Sequence, residues 1–385
     1  MKVMTILGTR PEIIRLSLII PLLDKYADHV LVHSGQNYQD CLNGLFFREL
    51  GLREPDVHMG IRGEGFADQI GQILARSERL FREYQPDRIL ILGDTNSGLT
   101  SFVACRLGIP VYHAEAGNRC YDDRVPEEVN RRVIDQCSSI LMPYTQRSRE
   151  NLLREGFAGE KVFVIGNPIK EVIDHYVESI RLSTALEAFG LEERQFFLVT
   201  MHRAENVDVE ARLRAIVEAL AALHARFGFP ILCSFHPRTR AKVQDFNVNI
   251  DRAGLRFVEP LGFFDFVRLE QKAFCLLSDS GTVQEEACIF GVPNVTIRDV
   301  TERPETIECG SNVLASCEVS RILELVDLVT AERCQWQPPA EYLARNVSAT
   351  VCRIVLGFRS FSPAGLDEGS PELNYLRDRQ RATLA

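Results

Sequence analysis

The sequence predicts an α/β protein of two domains, each a parallel, doubly wound sheet, and three observations predict it. Short apolar runs recur along the chain, each broken at once by a polar or glycine-containing turn and followed by helix-spaced apolar residues. At 385 residues the chain exceeds what one ordinary core absorbs, and the length suggests about two domains. The alternation halts at Gly166-Asn167-Pro168 and restarts at Phe196. Two such halves facing each other would bring their strand ends to one cleft.

The bulk numbers exclude several classes. With 45% hydrophobic and 25% charged residues the composition is that of a globular protein. A net charge of −9 opposes general nucleic-acid binding but leaves room for a local cationic pocket. Eleven cysteines are scattered without CxxC pairs or Cys/His spacings, so neither a zinc site nor a disulfide framework is expected. They read as reduced small hydrophobes of a cytoplasmic protein. The start, MKVMTILGTRPE, is not a signal peptide, because Arg10, Pro11 and Glu12 end the apolar run early. No stretch reaches the apolar length that spans a bilayer.

In chain order, Val3 to Leu7 reads as a buried first strand. Gly8-Thr9-Arg10-Pro11-Glu12 follows as a tight strand-to-helix turn, with Pro11 in the first helical turn. Backbone N–H groups there can receive phosphate and Arg10 can add a bidentate contact. GxGxxG is absent, so a nicotinamide-binding turn is not expected. His29–His33 reads as a strand, Gln36–Leu50 as a polar loop entering a helix, and Gly65–Tyr84 as an amphipathic helix. Arg88–Leu92 is a strand that ends in Gly93-Asp94-Thr95-Asn96-Ser97. Asp94 therefore lies at a strand's carboxyl end, where it also reads as part of a helix cap. Val111–His113 opens the stretch around which the first half is organised. Glu115 sits where that strand gives way to loop, and Pro126 starts a helix carrying Glu127, Glu128, Arg131 and Arg132. Glu127 and Arg131 are one helical turn apart and can pair. Ser139–Met142 and Val162–Ile165 read as further strands, with a helix near Ser148–Glu155 between them.

The second half repeats the pattern. Phe196–Met201 is a strand followed by His202-Arg203-Ala204-Glu205-Asn206, and Ala211–Phe227 is helical. Ile231–Phe235 ends in His236-Pro237-Arg238, and Phe274–Leu277 ends in Ser278-Asp279-Ser280-Gly281-Thr282. The helix entered there would offer free N–H groups beside Ser280 and Gly281, a place for phosphate. Glu285 and Glu286 follow within about a turn, placed for one of them to accept ribose hydroxyls. Val295–Ile297 and the charged run Arg298–Glu305 come next, then an amphipathic helix over Asn346–Phe358. From Arg359 the chain turns polar, with a short helical possibility over Glu372–Arg381.

The ordered motifs GTRPE (8–12), GDTNS (93–97), HAEAGNRC (113–120), PEEVNR (126–131), HRAEN (202–206), SDSGTVQEE (278–286) and RDVTERPE (298–305) resemble the non-hydrolysing UDP-N-acetylglucosamine 2-epimerases. The likeness runs from residue 1 to about 358. GTRPEIIRLS, SGQNY and AEAGNRCYDDRVPEE are closer to the branch that forms UDP-N-acetyl-L-fucosamine from UDP-2-acetamido-2,6-dideoxy-L-talose for capsule and O-antigen.

The resemblance implies two Rossmann-like domains facing a cleft, in a glycosyltransferase-B-like fold. It assigns residues 1–168 to the first domain, joined by a helix over 346–358 that crosses back, and 169–345 to a UDP-binding second domain; 359–385 is a polar tail without a counterpart. It also implies inversion at C2 by elimination of UDP to a glycal and its re-addition, without cofactor or metal, in a homodimer that acts on a UDP-N-acetyl-hexosamine and engages neither nucleic acid nor membrane. Carried over residue by residue, Asp94, Glu115, Glu127 and His202 share the proton transfers, and Arg10, His202, Ser280 and Gly281 hold the diphosphate. Glu286 takes the ribose, and Arg131 lies near the sugar or orders Glu127. Arg15 stands where the family commonly has lysine, with a different donor geometry. A UDP-N-acetylglucosamine epimerase is the alternative substrate reading. A UDP-sugar glycosyltransferase, a hydrolysing epimerase and a nucleotide-sugar sensor are the alternative activities.

Overall fold

The computed structural model describes residues 1–35, 40–63, 65–331 and 335–358, with the backbone alone at 40–43. Gln36–Tyr38 of the expected loop and everything beyond Phe358 lie outside the described residues. The chain divides into two compact units, Met1–Pro168 with the segment from Ala344, and Ile169–Leu343.

The first unit holds a six-stranded sheet of β1 (Lys2–Leu7), β2 (Asp28–His33), β3 (Val57–His58), β4 (Arg88–Leu92), β5 (Val111–Ala114) and β6 (Ile140–Met142). Its strand order is β3-β2-β1-β4-β5-β6, and every pairing is parallel. The second unit repeats this with β7 (Phe197–Thr200), β8 (Ile231–Ser234), β9 (Leu255–Val258), β10 (Cys275–Ser278), β11 (Asn294–Thr296) and β12 (Asn312–Leu314), ordered β12-β11-β10-β7-β8-β9 and again parallel. Counted from its first strand, each sheet has the doubly wound order 3-2-1-4-5-6.

The apolar runs explain why both faces of these sheets are covered. Along β7, β8 and β10, Phe197, Val199, Cys233 and Leu277 enter one core cluster, while Leu198, Leu232 and Leu276 enter another on the opposite face. Successive side chains of a strand point to opposite faces, so a parallel sheet flanked by helices on both sides needs continuous rather than alternating hydrophobicity. In the first sheet Met4, Ile6, Val30, Val32, Ile89 and Ile91 form one such cluster.

Val162–Ile165 is not a strand. It makes a single bridge, Val162 to Leu141; Phe163 and Ile165 donate to the carbonyls of Leu141 and Pro143, but Pro143, directly after β6, has no N–H to return to the ladder.

The Val347–Gly357 helix belongs to the first unit, where it packs on the Ile19–Tyr26 helix. Arg88, buried at the start of β4, donates to the carbonyls of Val355 and Phe358, the latter at 2.9 Å. The Tyr112 hydroxyl also donates to Phe358, at 2.9 Å. Replacing Arg88 by methionine leaves these carbonyls short of a charged donor, and a loss of about 1–3 kcal/mol is expected. Thermal denaturation reads that loss, and hydrogen exchange should show the helix amides of 351–355 losing protection before those of β1 and β4.

Candidate active site

In a doubly wound sheet, ligands bind outside the carboxyl ends of the two strands where the winding reverses. Those strands are β1 and β4 in the first unit, and β7 and β10 in the second. The turns that follow them are GTR, GDT, HRA and DSG, which are the motif segments.

After β1, Thr9 caps the Arg10–Leu16 helix through a capping box with Glu12. Glu12 Oε2 accepts from the Gly8 and Thr9 N–H groups at 2.8 and 2.6 Å and from Thr9 Oγ1 at 2.8 Å. Its Oε1 accepts from Thr95 Oγ1 at 2.8 Å, tying the turn after β1 to the turn after β4. Burial pushes the Glu12 carboxyl up to about 7, against the lowering effect of these hydrogen bonds. Glycine is required at position 8, where a Cβ would stand 2.1 Å from Ser34 Oγ.

Arg10 stacks over Phe46 at 5.9 Å from the ring centroid. Burial pulls its guanidinium below its ordinary pKa. A desolvated guanidinium without a carboxylate partner among the described residues is suited to an incoming anion.

Asp94 follows Gly93, whose φ of +75° turns the chain sharply at the end of β4. Arg131 Nε donates to Asp94 Oδ2 at 3.1 Å and its Nη1 donates to Glu128 at 2.8 Å. Asn130, on the same Pro126–Cys137 helix, donates to the Asp94 carbonyl at 3.0 Å. Glu127 lies half-buried in that helix's first turn.

Glu115 adopts φ +69° immediately after β5, an unusual conformation for a side-chain-bearing residue that costs of order 1 kcal/mol and is tolerated where surroundings enforce it. Its Oε2 accepts from Arg15 Nη1 at 2.7 Å and its Oε1 from Asn118 Nδ2 at 3.3 Å. The same oxygen Oε2 lies 3.9 Å from where a Gly93 Cβ would be. The first unit thus gathers Arg10, Arg15, Asp94, Glu115 and Arg131 around the ends of β1, β4 and β5.

Behind them lies a buried charge network absent from the sequence reading. His113 places Nδ1 at 2.8 Å from Asp135 and Nε2 at 2.8 Å from the Gly93 carbonyl. Asp135 also meets Arg119 at 2.8 Å and accepts from the Gly117 N–H at 3.2 Å. Arg119 continues to Glu155 at 2.6 Å.

In the second unit the strand-end acid is Asp279, fully buried after β10. It accepts from the N–H groups of His202 and Arg203 and from Asn206 Nδ2, at 3.0–3.1 Å, and faces His202 Nδ1 at 3.1 Å. Burial alone would raise this carboxyl, yet His202 and these donors hold it well below the usual carboxylate range. Asp279 therefore fixes the turn that presents His202.

Ser280 precedes the Gly281–Phe290 helix but gives no side-chain cap, and its hydroxyl turns to Thr282 at 2.9 Å. A Cβ on Gly281 would come within 2.9 Å of Glu302 Oε1. Glu302 pairs with Arg298 at 2.8 Å, and Glu285 pairs with Arg303. Glu286 is buried on the same helix. His202, Ser280, Gly281 and Glu286 thus cluster at the β7 and β10 ends of the second unit.

Among the described residues no group of three or more His, Cys, Asp or Glu side chains could hold a metal ion, and no helix is long and apolar enough to cross a membrane. The described cysteines are free thiols, with Cys233, Cys275, Cys288 and Cys352 buried and Cys105 exposed. Burial accounts for part of the set and not for Cys105.

Residues 23–356 match the family model described as UDP-N-acetylglucosamine 2-epimerase. A UDP-N-acetylglucosamine 2-epimerase of Methanocaldococcus jannaschii is 38% identical over 348 residues, covering 88% of this chain and 95% of that protein. A UDP-2,3-diacetamido-2,3-dideoxy-D-glucuronate 2-epimerase of Pseudomonas aeruginosa is 34% identical, covering 84% and 91%. The crystal structure of the Methanocaldococcus jannaschii UDP-GlcNAc 2-epimerase in complex with UDP-GlcNAc and UDP superposes with a TM-score of 0.87 at 38% identity, covering 92% of this chain and 98% of that one. WaaG, a glycosyltransferase involved in lipopolysaccharide biosynthesis, reaches a TM-score of 0.56 at 12% identity, covering 92% and 100%; it shares the glycosyltransferase-B-like fold alone.

Proposed function

The chain belongs to the UDP-N-acetylglucosamine 2-epimerase family, and from that premise we propose that it inverts C2 of a UDP-linked 2-acetamido sugar by eliminating UDP and adding it back. Removing the poorly acidic C2 proton requires a base, and returning a proton on the other face requires an acid. The departing diphosphate requires cations and N–H donors. Asp94, Glu115 and Glu127 in the first unit and His202 in the second are the proposed proton carriers. Arg10, His202 and the first helical turn at Ser280 and Gly281 receive the diphosphate, and Glu286 receives the ribose. Arg15 and Arg131 hold Glu115 and Asp94 in place. The observation that carries this reading is that Arg10 and Asp94 in the first unit, and His202, Ser280 and Gly281 in the second, stand at the strand ends flanking the winding reversals, with Glu115 at the end of β5.

The substrate proposed first is UDP-2-acetamido-2,6-dideoxy-L-talose, giving UDP-N-acetyl-L-fucosamine for a surface polysaccharide, on the strength of the GTRPEIIRLS and AEAGNRCYDDRVPEE motifs. UDP-N-acetylglucosamine is the second reading, favoured by the Methanocaldococcus jannaschii relative. The homodimer and the domain limits 1–168 with 346–358, and 169–345, belong to the same proposal.

Proton NMR in D₂O, with purified protein and each sugar in turn, tests it. Deuterium should enter C2 as a second epimer appears, and the faster substrate names the branch. Neither sugar exchanging while UDP binds would overturn the epimerase reading in favour of a transferase or a sensor.

A further inference from the structure

Glu270 is a carboxyl that the proposed chemistry does not use. It lies near the end of the Phe263–Lys272 helix, between Leu269 and Ala273 of an apolar cluster, and none of its surface is exposed. Neither of its oxygens accepts a hydrogen bond from an N–H or O–H group, and no cation among the described residues pairs with it. The polar group it touches is the carboxyl of Glu286, on the Gly281–Phe290 helix packed alongside. Two ionised carboxylates cannot share a dry contact, since both only accept and their charges repel. One proton between them turns the same contact into a strong, charge-assisted hydrogen bond.

We propose that Glu270 is a positioning residue for Glu286: its neutral carboxyl donates to the Glu286 carboxylate and aims it at the ribose hydroxyls of the bound nucleotide. The inference rests on the assignment of Glu286 to the ribose. The asymmetry follows from surroundings, since Glu270 is enclosed by apolar side chains while Glu286 retains 6% exposure. Burial, and then the charge of Glu286, hold Glu270 well above the usual carboxylate range. The other charged groups on the packed elements are engaged elsewhere or exposed. Glu178 pairs with Arg181, Glu285 with Arg303, and Lys272 and Arg268 with Glu193, while Asp265 accepts from Ser183 Oγ and Glu187 faces solvent.

The test compares UDP binding by calorimetry in the full chain and in Glu270→Gln, Glu270→Leu and Glu286→Gln. Leucine fills the space without donating, so affinity should fall about tenfold, as expected for a lost hydrogen bond to a charged group. Glutamine supplies a neutral donor and should recover most of it. Above neutral pH the wild type should lose affinity as the shared proton leaves, whereas Glu270→Gln should not follow that decline. An infrared band of a buried protonated carboxyl should be present in the wild type and absent from Glu270→Gln. Wild-type affinity in Glu270→Leu, or no recovery by glutamine, overturns the proposal. So does an unchanged pH profile in Glu270→Gln, which decides alone if the leucine variant does not fold. Wild-type affinity in Glu286→Gln instead overturns the ribose assignment, which separates the two failures.

Discussion

Asp94→Asn should slow epimerisation about 10²–10⁴-fold, the usual contribution of a positioned acid or base, while unfolding close to the wild-type temperature. The amide keeps an oxygen for Arg131 but cannot exchange a proton with C2. The fold should tolerate it because Arg131 also pairs with Glu128 at 2.8 Å, so the guanidinium stays compensated. Glu115→Gln is a less clean probe, since it leaves Arg15, buried and 2.7 Å from Glu115, beside a neutral amide. Initial rates and deuterium uptake at C2 measure the effect, with UDP binding as the control for the nucleotide side. Near-normal turnover in Asp94→Asn would remove this residue from the chemistry.

Asp135→Asn is expected to cost about 3–5 kcal/mol, the range for breaking a buried ion pair. The residue is fully buried between His113 and Arg119, and the amide would leave these groups short of a negative charge. Urea denaturation at neutral pH reads the loss. The pH dependence gives a second signature. Burial alone would raise the Asp135 carboxyl, but His113 and Arg119 hold it below its ordinary value. A carboxyl depressed in the folded state stabilises the fold above its unfolded pKa, about 3.9, and that contribution fades as pH falls through the folded value. Wild-type stability should therefore decline on acidification more steeply than that of Asp135→Asn. Parallel acid limbs would show that the Asp135 carboxyl is not depressed in the folded state.

The large features were legible in the sequence because they depend on local pattern. Val3–Leu7, Arg88–Leu92 and Phe196–Met201 are apolar enough to mark central strands, and the polar turns after them mark carboxyl ends. The edge strands Val57–His58, Leu255–Val258 and Asn312–Leu314 have no such signature, since they are short and half-exposed or polar. Val162–Ile165 had the composition of a strand, but Pro143 on its neighbour has no N–H to complete a ladder. Among site residues, Asp94, Glu115, His202 and Ser280 announced themselves by standing directly after a strand. Glu12, His113 and Asp135 did not, although each lies inside or beside a quoted motif, and Asp279, though it too stands directly after a strand, carries no mark of the turn it holds. Their importance comes from partners 16 to 83 positions away in the chain, and separation of that kind leaves no local trace. Glu270 had still less to mark it, because the polar group it meets on the packed helix is another acid.

The closing helix has a consequence for how the protein is made. Val347–Gly357 supplies the carbonyls that Arg88 and Tyr112 require, yet the whole of the second unit is translated before it. The second unit is contiguous and can reach its final packing as soon as it leaves the ribosome. The first unit, begun earliest, waits for the last of the described residues to emerge, so the unit synthesised first is the one finished last.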